Sequence, residues 1–322
     1  MKRLFTMGEA LIDFIPEEKG TKLKDVGGFE PQVGGAPANV AATHAILGGE
    51  SFLLTQLGVD AFGDKILDTL EGAGVKTEYI TRTQQANTGL AFVSLDDTGN
   101  RDFSFYRNPS ADLLYHPSQI DGIEFSADDI LHFCSVDLVE SDMKLAHEAA
   151  IGKMKTAGGT IIFDPNIRLP LWEDKAAYQE TVQSFIPMAD IIKVSDEEIR
   201  FITGIEDEKK AISALFTGNV KVVIFTKGPD GSEVILKDNT MFSHPGYTVL
   251  TVDTTGAGDA FIGAVIHKLT ESGSSPYSTL AETGREVLGF ANAVGAMTTM
   301  KKGAISSIPD KHEVETFMGG LQ

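Results

Sequence analysis

Cysteine is almost missing from this chain. Cys134 is the only one among 322 residues, so no internal disulfide can form and a reducing cytoplasm fits. It sits in the apolar run ILHFCSV and reads as a buried small hydrophobe. Positive charge is scarce as well: 27 Lys and Arg face 46 Asp and Glu, for a formal net charge of −19. That balance argues against nucleic acid or an anionic membrane as partner. A nucleotide ligand needs only a local positive site and stays open. Long apolar runs are absent too, and no window reaches the ~18 residues a membrane helix needs. The opening MKRLFTMGEALIDF is interrupted by Gly8, Glu9 and Asp13, unlike a signal peptide. There is no repeat, low-complexity segment or long linker. The Walker pattern GxxxxGKS/T is also missing, which excludes a P-loop enzyme.

Short apolar runs are present at 51–57, 129–134, 160–164, 190–194 and 220–226. Helix-like stretches lie between them at 38–48, 61–73, 141–157, 175–187, 196–203 and 209–217, and the chain looks helical from about 275 onward. Apolar runs alternating with helices predict an α/β domain with a mainly parallel sheet covered on both faces. Residues 12–34 and 88–107 break this rhythm. They alternate apolar and polar positions, carry turn signals such as DDTGN at 96–100, and read as antiparallel strands. The expected organisation is a core of residues 1–11, 35–87 and 108–322 with a discontinuous β-lid of 12–34 and 88–107. Such a lid would cover the sheet's C-terminal edge, where open α/β sheets bind ligands.

The most informative stretch is DTTGAGDAFIGA at 253–264. Gly256, Ala257 and Gly258 allow a tight turn whose N–H groups converge, and Asp259 opens an apolar, helix-like segment. A glycine turn at a helix N-terminus favours anions. A carboxylate inside such a site makes sense when the anion is a phosphoryl group in transfer and the carboxylate takes the attacking hydroxyl's proton. Alone, the turn reads equally as an ordinary helix start. It nearly matches the dinucleotide pattern GxGxxG, but Phe261 replaces the third glycine and the later acidic residue is missing. A second glycine motif, GGAPAN at 34–39, offers Gly34 and Gly35 for close backbone approach, Pro37 for a first helical turn, and Asn39 as donor and acceptor.

These two segments, with LGVDAFG at 57–63, resemble the signatures of the ribokinase-like (PfkB) family of sugar kinases. The resemblance runs from GEALIDF to KKGAISSIP. Within the family, FYRNPSADLL (105–114) and DPNIRLPLW (164–172) are most similar to fructokinases. The resemblance implies a ribokinase-like three-layer α/β/α sandwich with a small β-sheet lid. It implies transfer of the γ-phosphoryl group of ATP to a sugar's primary hydroxyl, with D-fructose going to fructose 6-phosphate.

Residue by residue, the resemblance makes Asp259 the general base and Gly256, Ala257 and Gly258 the anion hole. Asp13, at the first strand's end, joins Gly34, Gly35 and Asn39 on the sugar. Arg107 and Arg168 fall near sugar and phosphate, where a planar fork of donors suits phosphate. On the nucleotide side come Lys193, Ser195, Glu198, Thr226, Gly228, Gly231 and Asn292. Lys193 stands where many members carry an asparagine, which puts the usual water-mediated magnesium contact in question and sets Lys193 against a phosphate. Glu198 would organise Mg²⁺ through water, although SDEEI also reads as a plain helix cap. Asp253, Thr255, Gly303 and Ser307 match a K⁺ site, and the lid's outer face matches a homodimer contact. The alternatives are a 2-keto-3-deoxygluconate kinase, whose acidic substrate favours a more basic pocket, and a non-catalytic nucleotide- or sugar-binding regulator.

Overall fold

The computed structural model describes residues 2–18, 20–95, 101–172 and 174–320. The turn expected at 96–100 lies outside the described residues. The first half of the chain forms β1 (Arg3–Met7), β2 (Leu11–Pro16), β3 (Phe29–Gly34), α1 (Ala36–Ile46), β4 (Glu50–Gly58), α2 (Ala61–Gly72), β5 (Ile80–Thr83), β6 (Gly89–Leu95), β7 (Arg101–Tyr106) and β8 (Ile130–Phe133). Then follow α3 (Asp142–Ala157), β9 (Thr160–Phe163), α4 (Lys175–Phe185), β10 (Ile191–Ser195), α5 (Asp196–Thr203), α6 (Glu208–Ala214) and β11 (Val222–Thr226). The chain continues with β12 (Ser232–Leu236), β13 (Met241–His244), α7 (Ala257–Glu271), α8 (Pro276–Thr298) and α9 (Lys311–Gly319).

Nine strands make the large sheet, in the order β13-β12-β11-β10-β9-β8-β1-β4-β5. It is parallel from β5 to β11, and β12 and β13 close one edge as antiparallel strands. Its central strands are buried on both faces, as their continuous apolar runs require. Alternate residues serve opposite layers. Phe133, Phe163, Ile192 and Phe225 pack with α3, α4, α5 and α6. Ile130, Ile162, Ile191 and Ile224 pack with α7 and α8. The result is a three-layer α/β/α sandwich with a small second sheet.

The second sheet has the order β3-β2-β6-β7. The β2–β3 and β6–β7 pairs are antiparallel, as the turn signals suggested. The two hairpins, however, join through a parallel β2–β6 pairing that corrects the all-antiparallel expectation. A connection through α1, β4, α2 and β5 separates those strands, and nothing local encodes their direction. Asp13 is also corrected in place. The first strand ends at Met7, and Asp13 lies in β2. Register sets Asp13 beside Gln32 and Ala91 on one face, while Phe14 and Phe92 share the other. Phe14 stacks on Phe92 at 4.6 Å and meets Phe62 of α2 edge-on, so the aromatic face turns toward α2. The Asp13 face turns the other way. It forms, with Asp253, Thr255 and Gly303, a cleft of about 380 Å³.

Candidate active site

Period two along the parallel strands builds the floor of the site. On the α7 side, the apolar residues Ile162, Ile191 and Ile224 are followed two positions later by Asp164, Lys193 and Thr226. The face changes from oily to polar at the C-terminal ends of β9, β10 and β11, directly where ligands bind in such sheets. Lys193 and Asp164 are both buried, and the ammonium lies 3.0 Å from Oδ2 and 3.2 Å from Oδ1 of Asp164. Burial and the nearby Glu198 and Asp259 push the Asp164 carboxyl up to about 7, with Lys193 pulling it back down. Burial works against the charge on Lys193, but Asp164 and Glu198 outweigh it and hold the ammonium above its ordinary value.

The roof is the N-terminus of α7. Its cap, Gly256, has φ 74°, a left-handed conformation that glycine adopts without penalty. No side chain caps this end, and Ala257 N donates back to the Thr254 carbonyl at 3.3 Å, so the positive end of the α7 dipole is open toward the site. A methyl group built on Gly258 would point to within 3.5 Å of the Lys193 ammonium. The glycine turn and the lysine therefore face the same small volume, with helix dipole and cation acting together. Such an arrangement can attract an anion.

Asp259 is the third residue of α7 and is buried. Asn39 of α1 donates from Nδ2 to its Oδ2 at 2.8 Å. Asn166, in the loop after β9, donates from Nδ2 to its Oδ1 at 3.0 Å. A carboxylate only accepts, so both amides turn their nitrogens inward. The α1–α7 packing that brings Asn39 here is set one helical turn on. A Cβ on Gly263 would come within 2.7 Å of the Thr43 side chain, so only glycine lets the helices approach so closely.

The loop carrying Asn166 is itself held down. Glu198 accepts from Ile167 N at 2.7 Å with one oxygen and from Ser195 N and Oγ with the other. Burial alone would raise the Glu198 carboxyl, but Lys193 and these donated bonds keep it below its ordinary value. The Tyr178 hydroxyl accepts from Arg168 N at 3.1 Å and meets the Ser135 hydroxyl at 2.6 Å. Asp164, Asn166 and Arg168 are thus presented by one pinned loop.

Comparison with known proteins now bears directly on this geometry. The pattern described as "pfkB family carbohydrate kinase" matches residues 1–311. The chain is 42% identical over 306 residues to Fructokinase-2 of Oryza sativa subsp. japonica, covering 94% of this chain and 90% of that one. The fold superposes on a fructokinase with bound ATP from Xylella fastidiosa with a TM-score of 0.89 at 30% identity, covering 99% and 98% of the two chains. It superposes equally, with a TM-score of 0.89 at 32% identity, on a fructokinase from Vibrio cholerae O395 in its fructose, ADP and calcium ion bound form, covering 99% of each chain. The chain belongs to the pfkB family of carbohydrate kinases. It is a phosphotransferase with a ribokinase-like fold.

The remaining expected residues of this kinase fall as follows. Gly34 and Gly35 lead into α1; a Cβ on Gly34 would overlap the Asp13 carboxylate, and one on Gly35 the Glu9 carbonyl. Asp253 accepts from Thr255 N and Oγ1 and from Gly303 N, and the Ser307 hydroxyl donates to Gly303 O. The four residues expected around a monovalent cation form one cluster. Thr226, Gly228 and Gly231 line the β11–β12 turn, where Lys227 is paired with Glu233 at 2.8 Å. Asn292 uses both donor hydrogens inside the protein, on Ser232 Oγ and Leu288 O. That ties α8 to β12. Arg168 donates to the carbonyl of Ile167, and among the described residues no carboxylate pairs with it.

Arg107 is not a surface cation. It follows β7 and is buried against Asp112 and Asp137, with Glu9 close by. Glu9, Asp112, Asp137, Asp164 and Asn166 were not singled out from the sequence. Asp164 and Asn166 alternate with Arg168 inside DPNIR, a signal that was available. The other three carry no local signal. A further cavity of about 330 Å³ opens at the opposite, N-terminal edge of the sheet near Lys2 and Lys221. Its cations are already bonded, Lys221 to Asp190 and Lys2 to the Leu269 carbonyl, and none of the candidate site residues lines it. Cys134 is buried, which pushes its thiol well above the ordinary value and suits a packing residue.

Proposed function

We propose that this kinase transfers the γ-phosphoryl group of ATP to O6 of D-fructose. One observation carries the reading: a carboxylate oriented by two amides opens the same helix whose glycine turn faces a buried lysine. Asp259 takes the proton of the primary hydroxyl as the oxygen bonds to phosphorus. The bond from phosphorus to the bridging oxygen breaks, and ADP leaves with that electron pair. The N–H groups of Gly256, Ala257 and Gly258, with Lys193, hold the charge that accumulates on the phosphoryl oxygens. Phosphoryl transfer asks mainly for such positioning and electrostatics. Asp13, Gly34, Gly35 and Asn39 hold the sugar. Arg168, uncommitted to an acid among the described residues, meets the transferring phosphate. Ser195, Thr226, Gly228, Gly231 and Asn292 line the nucleotide side, with closure of the β2, β3, β6 and β7 sheet excluding water.

No group of three or more carboxylates, histidines or cysteines that could hold a metal occurs among the described residues. Glu198 is engaged by Ser195 and Ile167. That suits Mg²⁺, which keeps its waters and binds chiefly through phosphates; when bound it neutralises phosphate charge. Asp253, Thr255, Gly303 and Ser307 form the K⁺ site, and equal rates in potassium and tetramethylammonium buffers would exclude it. The half-open end of the aromatic face, with Tyr106 63% exposed, forms the homodimer contact. Sedimentation of Tyr106→Glu as the same species as the parent would exclude that role. No described helix is long and apolar enough to cross a membrane.

The reading is tested by coupled ATP turnover on fructose, 2-keto-3-deoxygluconate, ribose, tagatose and nucleosides. Fructose is expected to give the highest kcat/KM. Fructose ranking last would overturn the substrate, and no turnover on any sugar would favour a non-catalytic binder.

A further inference from the structure

The buried acids around Arg107 carry an inference about substrate charge, and it rests on the sugar-kinase reading above. Arg107 leaves β7 beside Gly89; a Cβ on Gly89 would lie 3.5 Å from its Nε. Gly89 is in register with Leu11, and Leu11 with Gly34. Two residues further along the same face lies the rung of Asp13, Gln32 and Ala91. Arg107 therefore sits at the base of the cleft-facing side of the small sheet. From there it would meet a sugar's polar groups.

Its charge is already answered. Asp112 and Asp137 both bond the guanidinium, and their side chains are 1% exposed against 5% for Arg107. Glu9 is buried beside them and accepts from Ala36 N with Oε1. Three acids thus surround one guanidinium, and Asp13 and Asp259 add two more carboxylates around the sugar position. Burial and the neighbouring acids push Glu9 and Asp137 above the usual carboxylate range despite Arg107, as expected where acids outnumber the cation. Three buried atoms of the cluster, Glu9 Oε2, Asp137 Oδ2 and Arg107 Nε, have no hydrogen-bond partner among the described residues. These atoms are sealed from the surface, so the cluster acts on a sugar through its net charge. A carboxylate only accepts, and would bring a further negative charge to the cluster.

We infer that Asp112 and Asp137, by neutralising Arg107, restrict this kinase to uncharged sugars and exclude sugars that carry a carboxylate. Both are positioning residues that act through the arginine. A pocket of the same shape without these acids would present an uncompensated guanidinium and suit an acidic sugar.

The test compares kcat/KM for D-fructose and 2-keto-3-deoxygluconate in the full chain and in Asp112→Asn, Asp137→Asn and the double variant. The acid-to-neutral ratio should rise about tenfold for each carboxylate neutralised. A merely structural role would lower both substrates together and leave the ratio unchanged, and that result would overturn the inference while leaving the kinase reading intact. The parent chain gives a second measurement that needs no variant. It should use fructose at least about tenfold better than the acidic sugar, and equal use or a preference for the acid would overturn the inference. Absence of turnover on any sugar would instead overturn the kinase reading, and the inference with it.

Discussion

The Asn166 amide donates to Asp259 at 3.0 Å, on the carboxylate oxygen that Asn39 does not take. The two amides come from α1 and from the loop after β9, so the carboxylate is held from two separate layers of the fold. Asn166 has φ 47°, a left-handed conformation that asparagine tolerates better than most residues. Both its backbone and its side chain suit the role.

Replacing Asn166 therefore separates strain from orientation. Asn166→Ala should lower kcat/KM about 10- to 100-fold through the misplaced base. Asn166→Gly relieves the backbone but also lacks the amide, so it should be as inactive as Ala. Recovery of activity in the glycine variant would show that the backbone, not the amide, matters. Asn166→Asp removes the donor and sets a second carboxylate against Asp259, so it should be at least as slow as Asn166→Ala.

Gly258 distinguishes function from stability. A methyl group there meets nothing closer than the Lys193 ammonium at 3.5 Å, and alanine favours a helix over glycine. Gly258→Ala should keep or raise the melting midpoint while lowering kcat by about 100-fold or more, because the methyl occupies the anion's place. Normal kcat in this variant would move the phosphate elsewhere.

Lys193 and Asp164 form a buried ion pair, so removing one partner strands the other. Lys193→Met should cost about 3–5 kcal/mol of stability. Adding Asp164→Asn should restore most of that stability in chemical denaturation. Turnover should stay about 100-fold down in both, since the cation facing the glycine turn is gone. Turnover returning with stability would make the pair purely structural.

The pH dependence of stability has a defined sign. Asp164 is raised to about 7 and Glu9 and Asp137 shift the same way, so the folded state holds their protons more tightly. That stability is complete below the unfolded value of 3.8 for Asp164 and is lost as pH rises to about 7. Buried His44 and His132 are lowered to about 3, and His147 and His267 to about 4, mainly by burial. Their contribution is complete above the unfolded value of 6.5 and is lost as pH falls. Above about pH 7 the histidine contribution levels off and the raised carboxylates outweigh it, so the melting midpoint should fall from about pH 7 to 8. Glu9→Gln should flatten that fall, and a midpoint rising with pH over this window would contradict the assignment.

What the sequence reveals follows how local each feature is. Strand periodicity, the glycine turn before Asp259 and the GGAPAN entry to α1 are set by neighbours in the chain, and all are readable. The short β12 and β13 escape notice because MFSH exposes alternate residues and SEVIL, although mostly buried, carries only three consecutive apolar residues. The parallel β2–β6 pairing joins residues more than seventy positions apart. Asp137, Asp112 and Glu9 meet Arg107 only through tertiary packing, so nothing near each acid in sequence announces the cluster. Arg107 and Asn292, read from sequence as ligand contacts, turn out to carry internal bonds that no local pattern encodes.

The central claim is that Asp259 accepts the proton during phosphoryl transfer. The most direct measurement is the single-turnover rate of phosphoryl transfer from ATP to fructose in Asp259→Ala, with folding checked by circular dichroism and ATP binding by calorimetry. The account predicts a folded variant that still binds ATP and transfers about 10²- to 10⁴-fold more slowly. A folded Asp259→Ala variant transferring at close to the parent rate would contradict it.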